Sequence, residues 1–131
     1  MRLLFFITLL FIGRYLFAGD TAEIKSVKPK ILYGTASFYS NSFNGKRTAN
    51  GEIYSHKKMT AACNVLPLGT WIRVTNLQNG KSVVVKTNDR LHTRMKRVVD
   101  LSREAADKLN YVKSGLTRVR VEVIGKKKPA K

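Results

Sequence analysis

Cysteine is almost missing from this chain: Cys63 is the only one among 131 residues. An intramolecular disulfide is therefore excluded, and the fold must rest on its packed core. Histidine is nearly as scarce. His56 and His92 stand far apart, with no cluster of Cys, Asp or Glu around either. No zinc-type ligand spacing exists, so neither a metal nor any other cofactor is expected. Acidic residues are few: eight Asp and Glu face 25 Lys and Arg, a formal charge of +17. That imbalance favours an anionic neighbour, whether nucleic acid, acidic lipid or a cell-wall polymer. Internal repeats are absent, and a long apolar run occurs only at the N-terminus.

That run, MRLLFFITLLFIGRYLFA over residues 1–18, places Arg2 before nine apolar residues broken only by Thr8. This is the layout of a secretory signal peptide. It falls short of the roughly 20 apolar residues of a spanning helix. Cleavage is expected after Ala18. A retained anchor is the alternative, because Leu16 and Phe17 fit the small-residue rule poorly. No cysteine lies near the end of the segment, so lipidation is not expected. The protein is expected to be exported to the periplasm or cell envelope, with no stable membrane span once the signal is removed. Export makes nucleic acid the weakest of the anionic neighbours. The chain also shows no recognition helix or stacking motif, so no nucleic-acid partner is expected.

Residues 19–31 carry Lys25, Lys28, Lys30 and Pro29 without an apolar period and read as a tether. Residues 126–131, KKKPAK, read as a disordered basic tail. One domain over 32–125 must supply the fold. Within it, strand signals dominate. Residues 33–39 alternate between two faces, and Trp71 to Thr75 forms a second candidate strand. Asn79-Gly80 is a hairpin signal, since both residues tolerate positive φ. It leads into the β-branched run Ser82 to Thr87. Arg97 to Asp100 reads as a short strand, and Thr117 to Val123 alternates valine or threonine with charge. A single helix is expected, capped by Ser102, with Glu104 at its start, an apolar stripe of Ala105, Ala106 and Leu109, and a Glu104–Lys108 pair. Asn110 or Gly115 ends it. Short strands, one short helix and frequent turns predict a small barrel.

Scarcity makes the carboxylates informative. Asp20 and Glu23 fall in the tether, Glu104 and Asp107 on the helix surface, and Glu122 on the outward side of the last strand. Glu52, Asp89 and Asp100 remain. Asp89 follows the hydrophobic strand Val83 to Val85, and a carboxyl where a buried strand ends is a reasonable position for an acid catalyst. The bland reading has Asp89 capping a turn and pairing with Arg90. Cys63 follows Thr60-Ala61-Ala62 and precedes Leu66-Pro67-Leu68-Gly69, which reads as a packed strand or turn.

Three stretches resemble the rare lipoprotein A (RlpA) family: GTASFYSNSFNGKRTANGE from Gly34, MTAACNVLPLGTWIRVTNLQNGKSVVVKTNDR from Met59, and RVVDLSREAADKL from Arg97. The resemblance implies a mainly β fold, a six-stranded double-psi β-barrel with one or two short helices. It implies work on peptidoglycan glycan strands as a lytic transglycosylase, with cell-division or other cell-wall proteins as neighbours. The chain itself is expected to be monomeric. By the same resemblance, Asp89 of the NDR motif is the acid/base, and Glu52 of TANGE orients the sugar or stabilises positive charge at the anomeric carbon. Asn50, Asn88, Arg90, Thr48, Thr60 and Cys63 are implied around the substrate. Asp100 is expected to fix a strand-to-helix turn. Many members carry a further glycan-binding SPOR domain. The sequence as read stops at Lys131 without one, so septal targeting by that route is left open. Two departures stand out. Cys63 occupies the family's histidine position, and Leu91-His92 replaces Gly-Pro. These keep open a non-catalytic glycan-binding barrel, with His92 as a candidate replacement imidazole.

Overall fold

The computed structural model describes residues 30–130. The signal peptide and most of the tether lie outside the described residues. The elements are β1 (Ile31–Phe38), β2 (Thr60–Ala62), β3 (Trp71–Asn76), β4 (Ser82–Asp89), β5 (Val99–Leu101), α1 (Arg103–Lys108) and β6 (Thr117–Gly125), with a short 3-10 turn at Asn41–Phe43. The six strands close into a barrel in the order β1-β5-β2-β4-β3-β6. β1 with β5 and β2 with β4 are parallel pairs; the other pairs are antiparallel.

Period-2 alternation fills this barrel, because successive strand side chains point to opposite faces. Ile72 and Val74, Val83 and Val85, Val99 and Leu101, and Val119 and Val121 meet inside, while Arg73 and Arg118 stay exposed. Helix α1 adds Ala105, Ala106 and Leu109 to the same core. Its N-terminus is capped by the Ser102 hydroxyl, which accepts the Ala105 N–H. Asn110, at φ 58°, ends it. The buried amide of Asn76 locks the β3–β4 hairpin to this helix end. It donates to the Leu109 carbonyl at 2.9 Å and accepts from Thr117 at 2.7 Å.

Several local expectations need correction. The strand expected from Arg97 starts two residues later, because the Arg97 side chain turns back to Asp100 and the Val98 N–H bonds the Thr35 carbonyl. In the hairpin turn only Gly80 has positive φ, at 73°. Asn79 instead accepts the Lys81 N–H and donates to Leu109. The start of the basic tail is not loose. Lys126 donates to the Leu68 carbonyl at 2.8 Å, and the Lys128 ammonium sits 5.7 Å from the centre of the Trp71 ring. Cation attraction to the indole face and a satisfied ammonium explain the docking.

Candidate functional site

β4 delivers Asp89 to its end, beside the long loop between β1 and β2. The parallel β2–β4 pairing sets Asp89 next to Ala62, and antiparallel β5 sets Asp100 on the other side of the same residue. The Asp89 carboxylate is held from three directions. Oδ1 accepts the N–H groups of Ala49 at 2.9 Å and Arg90 at 2.8 Å, and Oδ2 accepts the Tyr39 hydroxyl at 2.7 Å. Burial, then the hydrogen bond to Asp89, pushes the Tyr39 phenol far above its ordinary range, so it stays protonated and acts only as a donor here. Tyr39 packs edge-on against Tyr54, ring centres 4.1 Å apart, in a small second core with Ala62 and Leu91. The Tyr54 hydroxyl lies 2.7 Å from His56 Nδ1, and burial raises its pKa too.

Glu52 stands on the neighbouring loop. The Thr48 N–H bonds the Glu52 carbonyl at 2.7 Å, and Gly51 supplies the positive φ that closes the turn. Asn50 ties the loop together: its Oδ1 accepts from the Thr48 hydroxyl and the Glu52 N–H, and its amide donates to Glu52 Oε1 at 2.6 Å. The Asn88 amide donates to Glu52 Oε2 at 3.4 Å, and the Asn88 carbonyl accepts the Asn50 N–H. Thr48, Asn50, Glu52, Asn88 and Asp89 therefore form one assembly.

The remaining expected residues lie elsewhere. The Thr60 side chain, in β2, is buried with its hydroxyl unpartnered among the described residues. Cys63, expected near the substrate, is fully buried in the main core. β2 ends at Ala62, and the Cys63 N–H continues its ladder to the Asp89 carbonyl, which turns the thiol inward. Arg90 does not pair with Asp89 through its guanidinium. Nη1 donates to the carbonyls of Cys63 and Leu66, bracing the loop after β2. Asp100 does not fix the strand-to-helix turn, which Ser102 caps. It binds Arg97 through two hydrogen bonds of 2.8 and 3.1 Å, and those bonds raise the Arg97 pKa.

A cavity of about 530 Å³ opens on one side of Asp89. Phe38, Tyr39, Phe43, Leu91 and Met95 give it apolar walls; Ser37, Ser40, Arg90, His92, Arg97 and Asp100 supply polar groups. His92, weighed as a replacement imidazole, lines this cavity, whereas Glu52 does not. Tyr39 and Arg97 escaped the sequence reading. Tyr39 meets its partner across 50 residues of chain, and no local pattern announces such a contact. Among the described residues, no group of three or more His, Cys, Asp or Glu is arranged to hold a metal ion. No described helix is long and apolar enough to cross a membrane.

An apolar-walled cavity with a well-held carboxylate at its edge suits a sugar-sized substrate and proton transfer. Residues 32–121 match the family model described as lytic transglycolase, a double-psi β-barrel family. The chain belongs to this lytic transglycolase family. Its relatives include the endolytic peptidoglycan transglycosylase RlpA of Pseudomonas aeruginosa, 54% identical over 93 residues, covering 71% of this chain and 27% of that protein. The protein of the same name from Vibrio cholerae is 46% identical over 108 residues, covering 82% of this chain and 41% of that protein. The chain thus spans well under half the length of these two relatives. The apo expansin of Clavibacter michiganensis shares the fold, with TM-score 0.59 and 21% identity over 78% of this chain and 53% of that one.

Proposed function

We propose that this transglycolase-family barrel cleaves the β-1,4 bond between N-acetylmuramic acid and N-acetylglucosamine in peptidoglycan and leaves 1,6-anhydromuramoyl ends. The observation that carries the reading is Asp89, held by Tyr39, Ala49 and Arg90 at the edge of the cavity. Protonated Asp89 gives its proton to the glycosidic oxygen as the bond from the muramoyl anomeric carbon breaks. The muramoyl C6 hydroxyl then attacks that carbon, and Asp89 takes the hydroxyl proton, so the acid is regenerated and no water is consumed. Glu52, anchored by Asn50 and Asn88, orients the sugar and offsets positive charge at the anomeric centre. Oδ1 accepts two backbone N–H groups and Oδ2 only the Tyr39 hydroxyl, so Oδ2 is the oxygen with a lone pair left to exchange the proton. Thr48 and Asn50 act by holding Glu52 in place, and Arg90 by holding the loop beside Asp89. In this reading the protein is an exported monomer that meets other cell-wall proteins in the cell envelope; the peptidoglycan named for the RlpA relatives supports the envelope setting.

A second reading is a barrel that binds glycan without cutting it. Its support is the buried thiol of Cys63, which presents no imidazole where the resemblance implies one. Product analysis separates the two. Purified protein and an Asp89→Asn control are incubated with peptidoglycan and with peptide-free strands, and the products are read by mass spectrometry. Anhydro ends that vanish in the control support the transglycosylase. Reducing ends would instead mean hydrolysis. Glycan binding without products supports the binding barrel, and Cys63→His is then the rescue to try.

A further inference from the structure

The outer face of β4 carries a second feature beside the Glu52 assembly. Val83, Val85 and Thr87 are buried inside the barrel, so Lys86 lies on the opposite face, and the register shift between Ala61 and Ala62 brings Asp89, the partner of Ala62, to that face as well. Asn88 holds Glu52, and Lys86 stands two positions back along the strand, ~7 Å away at strand spacing. Lys86 pairs in register with Trp71 of β3, the only tryptophan in the chain. The Lys86 ammonium lies 6.0 Å from the centre of that indole ring, and the Lys128 ammonium 5.7 Å. Lys126, two residues before Lys128, donates to the Leu68 carbonyl. Among the described residues, no carboxylate lies within ion-pair distance of Lys86, Lys126 or Lys128. Glu122, the acid of the adjacent β6, is already shared by Arg73 and Arg120.

A half-buried indole bordered by uncompensated ammonium groups suits a ligand with both an apolar ring face and a negative charge. We infer that Trp71, Lys86 and Lys128 form a subsite for an acidic sugar of the same glycan strand that reaches Asp89. The inference rests on the glycan reading above. Continuity along β4 favours this occupant: Asp89 stands three positions beyond Lys86, ~10 Å of strand, a span on the order of two linked sugar rings. The indole takes the C–H face of the ring, and the flexible lysine heads leave the aromatic face to meet the carboxylate. A neutral sugar would gain only the stacking.

Because Trp71 is the sole tryptophan, its fluorescence reports this subsite directly. The Asp89→Asn protein, which should hold a strand without cutting it, is titrated with peptide-free oligomers that contain N-acetylmuramic acid. Neutral N-acetylglucosamine oligomers and phosphatidylglycerol vesicles are the comparisons. The expected result is a saturable emission change with the acidic oligomers, at about tenfold higher affinity than with the neutral ones. Exchanging both surface lysines, Lys86→Gln with Lys128→Gln, should bring the two affinities together. Equal affinities without the exchange, a silent Trp71, or a response to vesicles alone would overturn the inference. Anhydro products from the unaltered protein with a silent Trp71 would leave the reaction standing and remove the subsite. A Trp71 response without products would do the reverse.

Discussion

Removing the Tyr39 hydroxyl tests whether Asp89 must be held to act. Tyr39→Phe keeps the ring that packs 4.1 Å from Tyr54 and 5.5 Å from Phe43, and deletes the 2.7 Å bond to Asp89 Oδ2. Both remaining donors, the N–H groups of Ala49 and Arg90, serve Oδ1. Oδ2 then has no protein donor, and the carboxylate gains freedom about its last torsion. A hydrogen bond to a charged group contributes about 1.5–3 kcal/mol. Asp89 is only partly buried, so water replaces some of the loss, and about 1.5–2 kcal/mol is the expected cost in the transition state. At ~1.4 kcal/mol per factor of ten, kcat falls roughly 10- to 30-fold, with KM changed by no more than about twofold. The assay is initial-rate release of anhydro products from peptide-free strands, with near-UV circular dichroism to verify the packed aromatic cluster. An unchanged kcat in a folded variant, or a rise in KM at constant kcat, would refute the holding role.

Other expectations follow from the same structure. A β-carbon at Gly34 would sit 2.8 Å from Val98 Cβ, a side-chain root that cannot swing away, so Gly34→Ala should cost about 1–3 kcal/mol of stability in urea unfolding. No loss would mean that β1 shifts freely. Asn76→Ala removes its bonds to Leu109, Thr117 and the Gln78 N–H from a buried site, and a loss of roughly 3 kcal/mol is expected by the same measurement. Burial raises the Tyr39 and Tyr111 phenols far above the ordinary value of 10.0. Above that pH the unfolded chain releases protons that the folded one keeps, so the two groups contribute full stability below pH 10 and lose it as pH rises further. The slope should approach about −2.7 kcal/mol per pH unit, and a flat unfolding free energy there would contradict the burial.

Much of the barrel was legible because its signals are short-range. The alternation of Thr117 to Val123 and the run Ser82 to Thr87 are period-2 patterns that reflect one buried face. Ser102, Glu104 and Asn110 mark the ends of α1 through their own side-chain and backbone chemistry. β2 was ambiguous because three residues are too few to show a period. Asp89 and Glu52 were candidates by position and motif, but nothing local to either revealed how it is held.

The sequence by itself determined the strand-rich core, the capped helix, the basic surface and the pair of carboxylates, since each follows from side-chain spacing or composition. Tertiary structure alone decided which groups meet. It brought Tyr39 to Asp89 and Asn88 to Glu52, turned Cys63 inward, set Arg97 against Asp100, and laid Lys128 over Trp71. Most of these contacts join segments far apart in the chain, and Arg97 finds Asp100 only because the backbone bends before β5. Closure of the barrel fixes such meetings through strand register and packing, which side-chain order along the chain does not encode locally.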